Sequence, residues 1–315
     1  MIRGLVASLF FGSQVNNGAS WQLLLEVAHA MDAGRWRSLW VYDHFVPPLA
    51  GADESLDCAE GWSLLGGLAA ATSRVRIGAL VTGNTYRNPA LLAKMAATVD
   101  QMSGGRLEFA IGAGWHEREH EAYGWDFPSM KERSDRLEEA CAVIKALFSS
   151  QGPVSYSGRY YRMVDAPFAP KCVQTPHAPI MVGGGGEKRT LRTLARYGDV
   201  MNVSGSPEQV AHKIEVLAKH CADLGRDPGE ITKTIMIPVA LVDDPERAHR
   251  FLEAYGAGMS GEEREQNLAI GSADQIRKVF ERYGSVGVQG IIMSGIPMNP
   301  RLYQRLSDEV LAAFD

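Results

Sequence analysis

The chain has 315 residues, 45% of them hydrophobic, with 33 glycines and a formal net charge of −5. That much apolar material fills a large core, and α/β barrels reach this length as one domain, so residues 1–315 are expected to fold as a single unit. The acidic balance and the lack of a long basic run exclude a nucleic-acid or anionic-membrane surface. Cys58, Cys141, Cys172 and Cys221 lie too far apart for a zinc ribbon or redox dithiol and suit a reducing cytoplasm.

The opening apolar stretch, Leu5 to Phe11, is too short to cross a bilayer, and Gln14-Val15-Asn16-Asn17 after it lacks a small-x-small cleavage pattern; it reads as a first strand. Trp21, Leu24, Leu25 and Ala28 then repeat at helical spacing. Ser38 to Tyr42, Val75 to Val81 and Leu107 to Ile111 are the next strands. Between the last two, Pro89 opens a helix that runs to Met102 and ends at Gly104-Gly105. Leu137, Cys141, Ile144 and Leu147 form a further helical stripe. Pro179 to Val182, Asp199 to Val203, Ile235 to Leu241 and Gly290 to Ser294 complete a set of eight strands, with a helix from Pro207 and another capped by Ser272 among them. The runs are nearly continuous in hydrophobicity, as parallel strands buried on both faces require. The alternation predicts a (β/α)8 TIM barrel with right-handed crossovers, an open doubly wound sheet being the alternative. Two stretches exceed the minimal repeat: Trp115 to Ser129 after the fourth strand, and Gln151 to Ala178 before the fifth, the latter expected to hold a hairpin and an irregular loop.

In such a barrel, polar residues at strand C-termini face the active-site mouth. Asp43-His44 ends the second strand. The imidazole can exchange a proton near neutral pH and the carboxylate can fix its tautomer or meet a cofactor hydroxyl; a hydrogen-bonded turn is the other reading. Gly183, Gly184, Gly185 and Gly186 follow the fifth strand and precede a helix starting near Glu187-Lys188-Arg189-Thr190. Bare backbone N–H groups and a helix N-terminus suit a phosphate better than a plain turn, which needs fewer glycines. Gly112-Ala113-Gly114 would let a flat ligand lie against the backbone, or make a simple turn. His116-Glu117-Arg118-Glu119-His120 matches the H-E-x-x-H zinc pattern, but Gly114 and Gly124 leave room for about two helical turns. A short polar helix is the stronger reading, no metal is expected, and a zinc hydrolase is a remote alternative. Phe45, Trp115 and Trp125 are candidates for an apolar substrate pocket, with ordinary packing as the alternative.

Taken together, SLWVYDHF (38–45), VRIGALVTGNTYRNP (75–89), residues 94–124, residues 179–202 and residues 271–287 resemble the luciferase-like monooxygenase superfamily, and more narrowly its branch using the deazaflavin coenzyme F420. The match spans most of the chain in order. The resemblance implies a tricyclic redox ring at the strand C-termini, close to Asp43 and His44. A non-proline cis peptide would back it in a bulge around Leu80-Val81 and Thr82. Gly112, Ala113 and Gly114 would line the cofactor, and Gly183 to Gly186 would hold its phosphate. It further implies hydride transfer between reduced F420 and an apolar organic substrate, with FMN and oxygen in a monooxygenase as the alternative, and a homodimer. Sugar-phosphate dehydrogenases of the family carry an acidic residue where this chain has Trp115, which speaks against oxidation of a sugar hydroxyl.

Overall fold

The computed structural model describes residues 9–48 and 53–315. Among these, eight parallel strands close into a barrel: β1 Phe10–Gln14, β2 Ser38–Val41, β3 Arg76–Ala79, β4 Leu107–Gly112, β5 Ile180–Gly183, β6 Val200–Val203, β7 Thr232–Leu241 and β8 Gly290–Ser294. Neighbours pair in sequence order, and β8 returns to β1 with Phe10 opposite Gly290. All eight strands expected from the sequence are present. The first is displaced: residues 5–8 lie outside the described residues, and the strand runs on through Gly12, Ser13 and Gln14. These are polar positions tolerated because Ser13 is buried against the Tyr303 hydroxyl and the Gln14 amide donates to Leu80 O.

The continuous apolar runs have a simple cause. Successive side chains of a strand point to opposite faces, and in a barrel both faces are dry. Leu39 and Val41, Phe109 and Ile111, Ile180 and Val182 face the surrounding helices. Between them Trp40, Ala110 and Met181 point inward to meet Leu80 and Ile292 in the barrel's own core.

The helices start where capping chemistry dictates. Ser20 caps α1 (Trp21–Ala33), Glu60 caps α2 (Gly61–Ala71), and Asn88 caps α3 (Pro89–Ser103), whose left-handed C-terminal residue is Gly104. The excursion after β4 contains α4 (Glu117–Tyr123) and leads into α5 (Met130–Ser149). An antiparallel hairpin, Val154–Ser157 with Arg162–Ala166, stands before β5 as expected. The Glu139 carboxylate on α5 accepts the N–H groups of Arg159, Tyr160 and Tyr161 at 2.9, 2.9 and 3.2 Å, and Tyr161 Oη meets Asn84 Nδ2 at 3.2 Å. After β5 come α6 (Thr190–Tyr197) and, after β6, α7 (Pro207–Asp223) with a Ser206 capping box. Beyond β7, α8 (Pro245–Tyr255), α9 (Gly261–Asn267) and a short parallel strand, Ala269–Gly271, form an addition that the eightfold reading did not anticipate. Then α10 (Ala273–Ser285) and α11 (Pro300–Glu309) close the chain's barrel layer. No described helix is long and apolar enough to cross a membrane.

At the end of β3 the ladder breaks. The Leu80–Val81 peptide is cis, and pairing with β4 resumes at Thr82 opposite Ile111 and Gly83 opposite Gly112. The Val81 side chain occupies the space beside two strand ends. A Cβ at Gly112 would lie 2.8 Å from Val81 Cγ2, and one at Gly183 would lie 2.6 Å from Val81 Cγ1. Both glycines are fixed by this close approach, because a valine side chain is short and has little rotamer freedom. Gly112→Ala should therefore destabilise the fold by about 1–3 kcal/mol, measured by urea unfolding. Adding Val81→Ala should recover part of the loss; a double variant no more stable than the single one would place the strain elsewhere.

Candidate active site

The mouth of the barrel is organised around two buried carboxylates. Asp43, directly after β2, is 2% exposed. Arg87 grips it bidentately, Nη1 to Oδ2 at 2.7 Å and Nη2 to Oδ1 at 3.0 Å, and also donates to Glu60 at 2.5 Å, the residue that caps α2. Burial pushes the Asp43 carboxyl up, and the guanidinium opposes this. Both oxygens of Asp43 are thus engaged in anchoring the strand end to α2.

The second carboxylate is Glu119, and the sequence reading passed over it. It is fully buried on α4 and collects four donors: His44 Nδ1 at 3.0 Å, the Tyr86 hydroxyl, and the backbone N–H groups of Phe45 and, at 3.1 Å, Val46. Burial alone would raise its pKa. The hydrogen bonds from His44, Tyr86 and the Phe45 N–H outweigh that and hold it at about 2. An ionised carboxylate only accepts, so the shared proton sits on His44 Nδ1. Nε2 has no hydrogen-bond partner among the described residues. Burial and the adjoining Glu119 push the Tyr86 phenol up, so it stays a donor.

Residues 116–120 therefore have a different use from a zinc motif. His116 caps α4 by accepting the Glu119 N–H at Nδ1, 3.2 Å away. His120 is buried and engages both ring nitrogens, with His116 O and the Thr85 hydroxyl each at 2.8 Å, so no lone pair remains for a metal. Among the described residues no group of three or more His, Cys, Asp and Glu could hold one.

Of the three candidate pocket aromatics, Phe45 and Trp125 pack into a cluster with Tyr86 and Tyr123, ring centroids 4.7–5.4 Å apart, which walls the Glu119 network from water. Trp115 stands apart. It is 60% exposed and meets the His44 ring edge-on at 5.4 Å.

Across the mouth, Gly183 to Gly186 lead into α6, whose start has no side-chain cap; the Leu191 N–H donates to Gly186 O at 3.0 Å and the Thr193 N–H to Arg189 O at 2.8 Å. Arg189 is instead paired with Asp135. A cation that the sequence reading did not single out, Lys213 on α7, donates to Gly185 O at 2.9 Å. Asn84, buried beside Gly112, keeps an unpartnered Oδ1.

Two outcomes follow from the carboxylates. Glu119 titrates at about 2 in the fold against an ordinary 4.5, so its stabilisation is complete above pH 4.5 and is lost as pH falls toward 2. Glu119→Gln should remove that part of the acid-unfolding slope and cost about 1–3 kcal/mol at neutral pH; an unchanged slope would show that the carboxylate is not held ionised. Arg87→Met leaves Asp43 buried without its partner and should cost about 3–5 kcal/mol in chemical denaturation, while Arg87→Lys should cost less.

The comparisons with known proteins agree with this architecture. An F420-dependent secondary alcohol dehydrogenase in complex with an F420-acetone adduct superposes with a TM-score of 0.84 at 22% identity, over 98% of this chain and 100% of that one. An F420-dependent glucose-6-phosphate dehydrogenase of Kineococcus radiotolerans is 35% identical over 215 residues, 67% of this chain and 61% of the relative. An FMNH(2)-dependent dimethylsulfone monooxygenase of Pseudomonas putida is 31% identical over 218 residues, 64% of this chain and 59% of the relative. The chain thus spans about three-fifths of the length of these two relatives. The model of the luciferase-like monooxygenase family matches residues 1–290, and the chain belongs to that family.

Proposed function

We propose that this protein is an F420-dependent oxidoreductase that transfers a hydride between reduced deazaflavin and an apolar organic substrate. The observation that carries the reading is the Glu119–His44 pair: a buried, ionised carboxylate that fixes one nitrogen of an imidazole and leaves the other at the barrel mouth. When bound, the reduced ring supplies the hydride. The residues present fit such a group. Leu80, Val81 and Thr82 would back the ring; Gly112, Ala113 and Gly114 bring bare backbone beside it; the unpartnered Asn84 Oδ1 suits a ring N–H. Gly183, Gly184, Gly185 and Gly186, with the uncapped start of α6 and the Lys213 ammonium, would hold the phosphate. His44 gives or takes the substrate proton at Nε2, Glu119 steadies the imidazolium, and Tyr86, Phe45 and Trp125 exclude water from that pair. Asp43 supports the strand end through Arg87. Trp115 offers its exposed face to the apolar body of the substrate.

The chain works on this reading as a homodimer in the cytoplasm. Trp21 and Met102 are exposed, and the Trp21 ring and Met102 Cε lie over Gly67 and Gly66 of α2, giving one apolar patch across α1 to α3. The four thiols are unpaired, as a reducing compartment favours. A second reading, reduced FMN with oxygen, draws its support from the FMNH(2)-dependent relative.

Titration of the purified protein with F420 and FMN side by side tests the reading. F420 is expected to bind at the lower concentration; tighter FMN binding, with oxygen uptake once FMN is reduced, would select the monooxygenase instead. His44→Ala should keep the fold and the cofactor affinity and lower turnover by about 10²–10⁴-fold; unchanged turnover would remove His44 from the chemistry.

A further inference from the structure

We infer that His116 is a second substrate-binding imidazole, a hydrogen-bond donor of fixed polarity set beside His44, and that the site therefore takes its substrate by an acceptor oxygen, a ketone in the reducing direction. The inference rests on the hydride-transfer reading above and extends it to the substrate's chemistry.

The polarity follows from the cap. The Glu119 N–H donates to His116 Nδ1 at 3.2 Å, and a nitrogen that accepts a hydrogen bond carries no proton. The neutral ring must hold its proton on Nε2. That nitrogen has no partner among the described residues. The ring is half-buried, packed between Trp115 at 4.7 Å and His44 at 5.7 Å. His44 has the opposite arrangement, with the proton on Nδ1 facing the Glu119 carboxylate. One residue thus sets both tautomers, through its backbone N–H on one side and its carboxylate on the other. The cap alone does not explain a histidine, since Ser, Asp or Asn serves there at least as well. Adjacent to these rings the exposed Trp115 indole supplies an apolar surface. A polar atom that accepts, on an otherwise apolar body, matches the set.

The step balances. A bound reduced deazaflavin would supply the hydride to the carbonyl carbon, and the π pair would move onto oxygen. The His44 imidazolium releases its Nε2 proton to that oxygen and ends neutral with Nδ1–H on Glu119. His116 keeps its proton and stabilises the developing negative charge throughout. Oxidation of a secondary alcohol is the same sequence reversed.

Two substitutions separate donor from cap. Asn places an acceptor where Nδ1 stands and keeps the cap, but does not reach the Nε2 position; Gln reaches the Nε2 position with an N–H but gives up the cap. Long-range 1H–15N correlation spectra of the protein should show His116 as the Nε2–H tautomer and His44 as Nδ1–H; a His116 proton on Nδ1 overturns the proposal. Acetophenone and its methylene isostere α-methylstyrene are then titrated into protein loaded with whichever ring compound it binds. The wild type should prefer the ketone by about tenfold. His116→Gln should keep most of that preference. His116→Asn should lose it while matching the wild type in melting temperature and ring affinity. An equal preference in wild type and His116→Asn, or no ketone binding to loaded protein, overturns the proposal and leaves the hydride-transfer reading standing. A protein that binds neither ring removes both.

Discussion

The mouth of this barrel depends on a negative charge held without water. The Glu119 carboxylate sits in a closed aromatic surround, and its ionisation is tolerated only because four donors converge on two oxygens. Those donors come from the end of β2 and from the loop after β3, while the carboxylate itself comes from the excursion after β4. A single charge therefore ties three consecutive strand ends together and fixes where the imidazole stands. Remove it, and α4 keeps its bonds from His120 to Thr85 and from Tyr123 to Phe45 O but loses its hold on His44.

Asp43 is the counterpart on the other side of the same strand end. It too is buried, but its partner is a guanidinium that also reaches Glu60 at the start of α2. The two carboxylates divide the work by the kind of partner they have. Arg87 neutralises Asp43 with a permanent cation and yields a rigid joint. Glu119 faces groups that can carry or release a proton and yields a site that can do acid–base chemistry. Adjacent residues of the chain, Asp43 and His44, thus serve opposite purposes because one meets the Arg87 guanidinium and the other the Glu119 carboxylate.

The barrel was legible in the sequence because its strands are dry on both faces: Leu39, Trp40 and Val41 cannot be mistaken for a surface strand, and the same holds for Ile180, Met181 and Val182. The addition after β7 was not: α9 carries no apolar side chain beyond its glycine, and the stripe of α8, Ala248, Phe251 and Leu252, spans little more than one helical turn. His44 was legible from its place after a strand, and the Leu80–Val81 cis peptide from the family's pattern. Glu119 was hidden by its own neighbours. In Glu117-Arg118-Glu119-His120-Glu121 every residue is polar, and only the turn of α4 decides which carboxylate faces inward; its place three residues after a capping His116 was the one local sign. Arg87, Tyr86 and Lys213 were missed because their partners lie 27 to 44 residues away in the chain, beyond any periodic signal.

The hairpin before β5 carries a dynamic consequence. A flap that swings needs a tip with nothing to let go of. Here the tip delivers three successive amides into one carboxylate on α5, and the neighbouring phenol reaches the strand end beneath. The segment consequently travels with α5 as part of the wall. A wall fastened at both its tip and its flank keeps its outline, so the rim beside the mouth is set by α5 and by the strand end it joins.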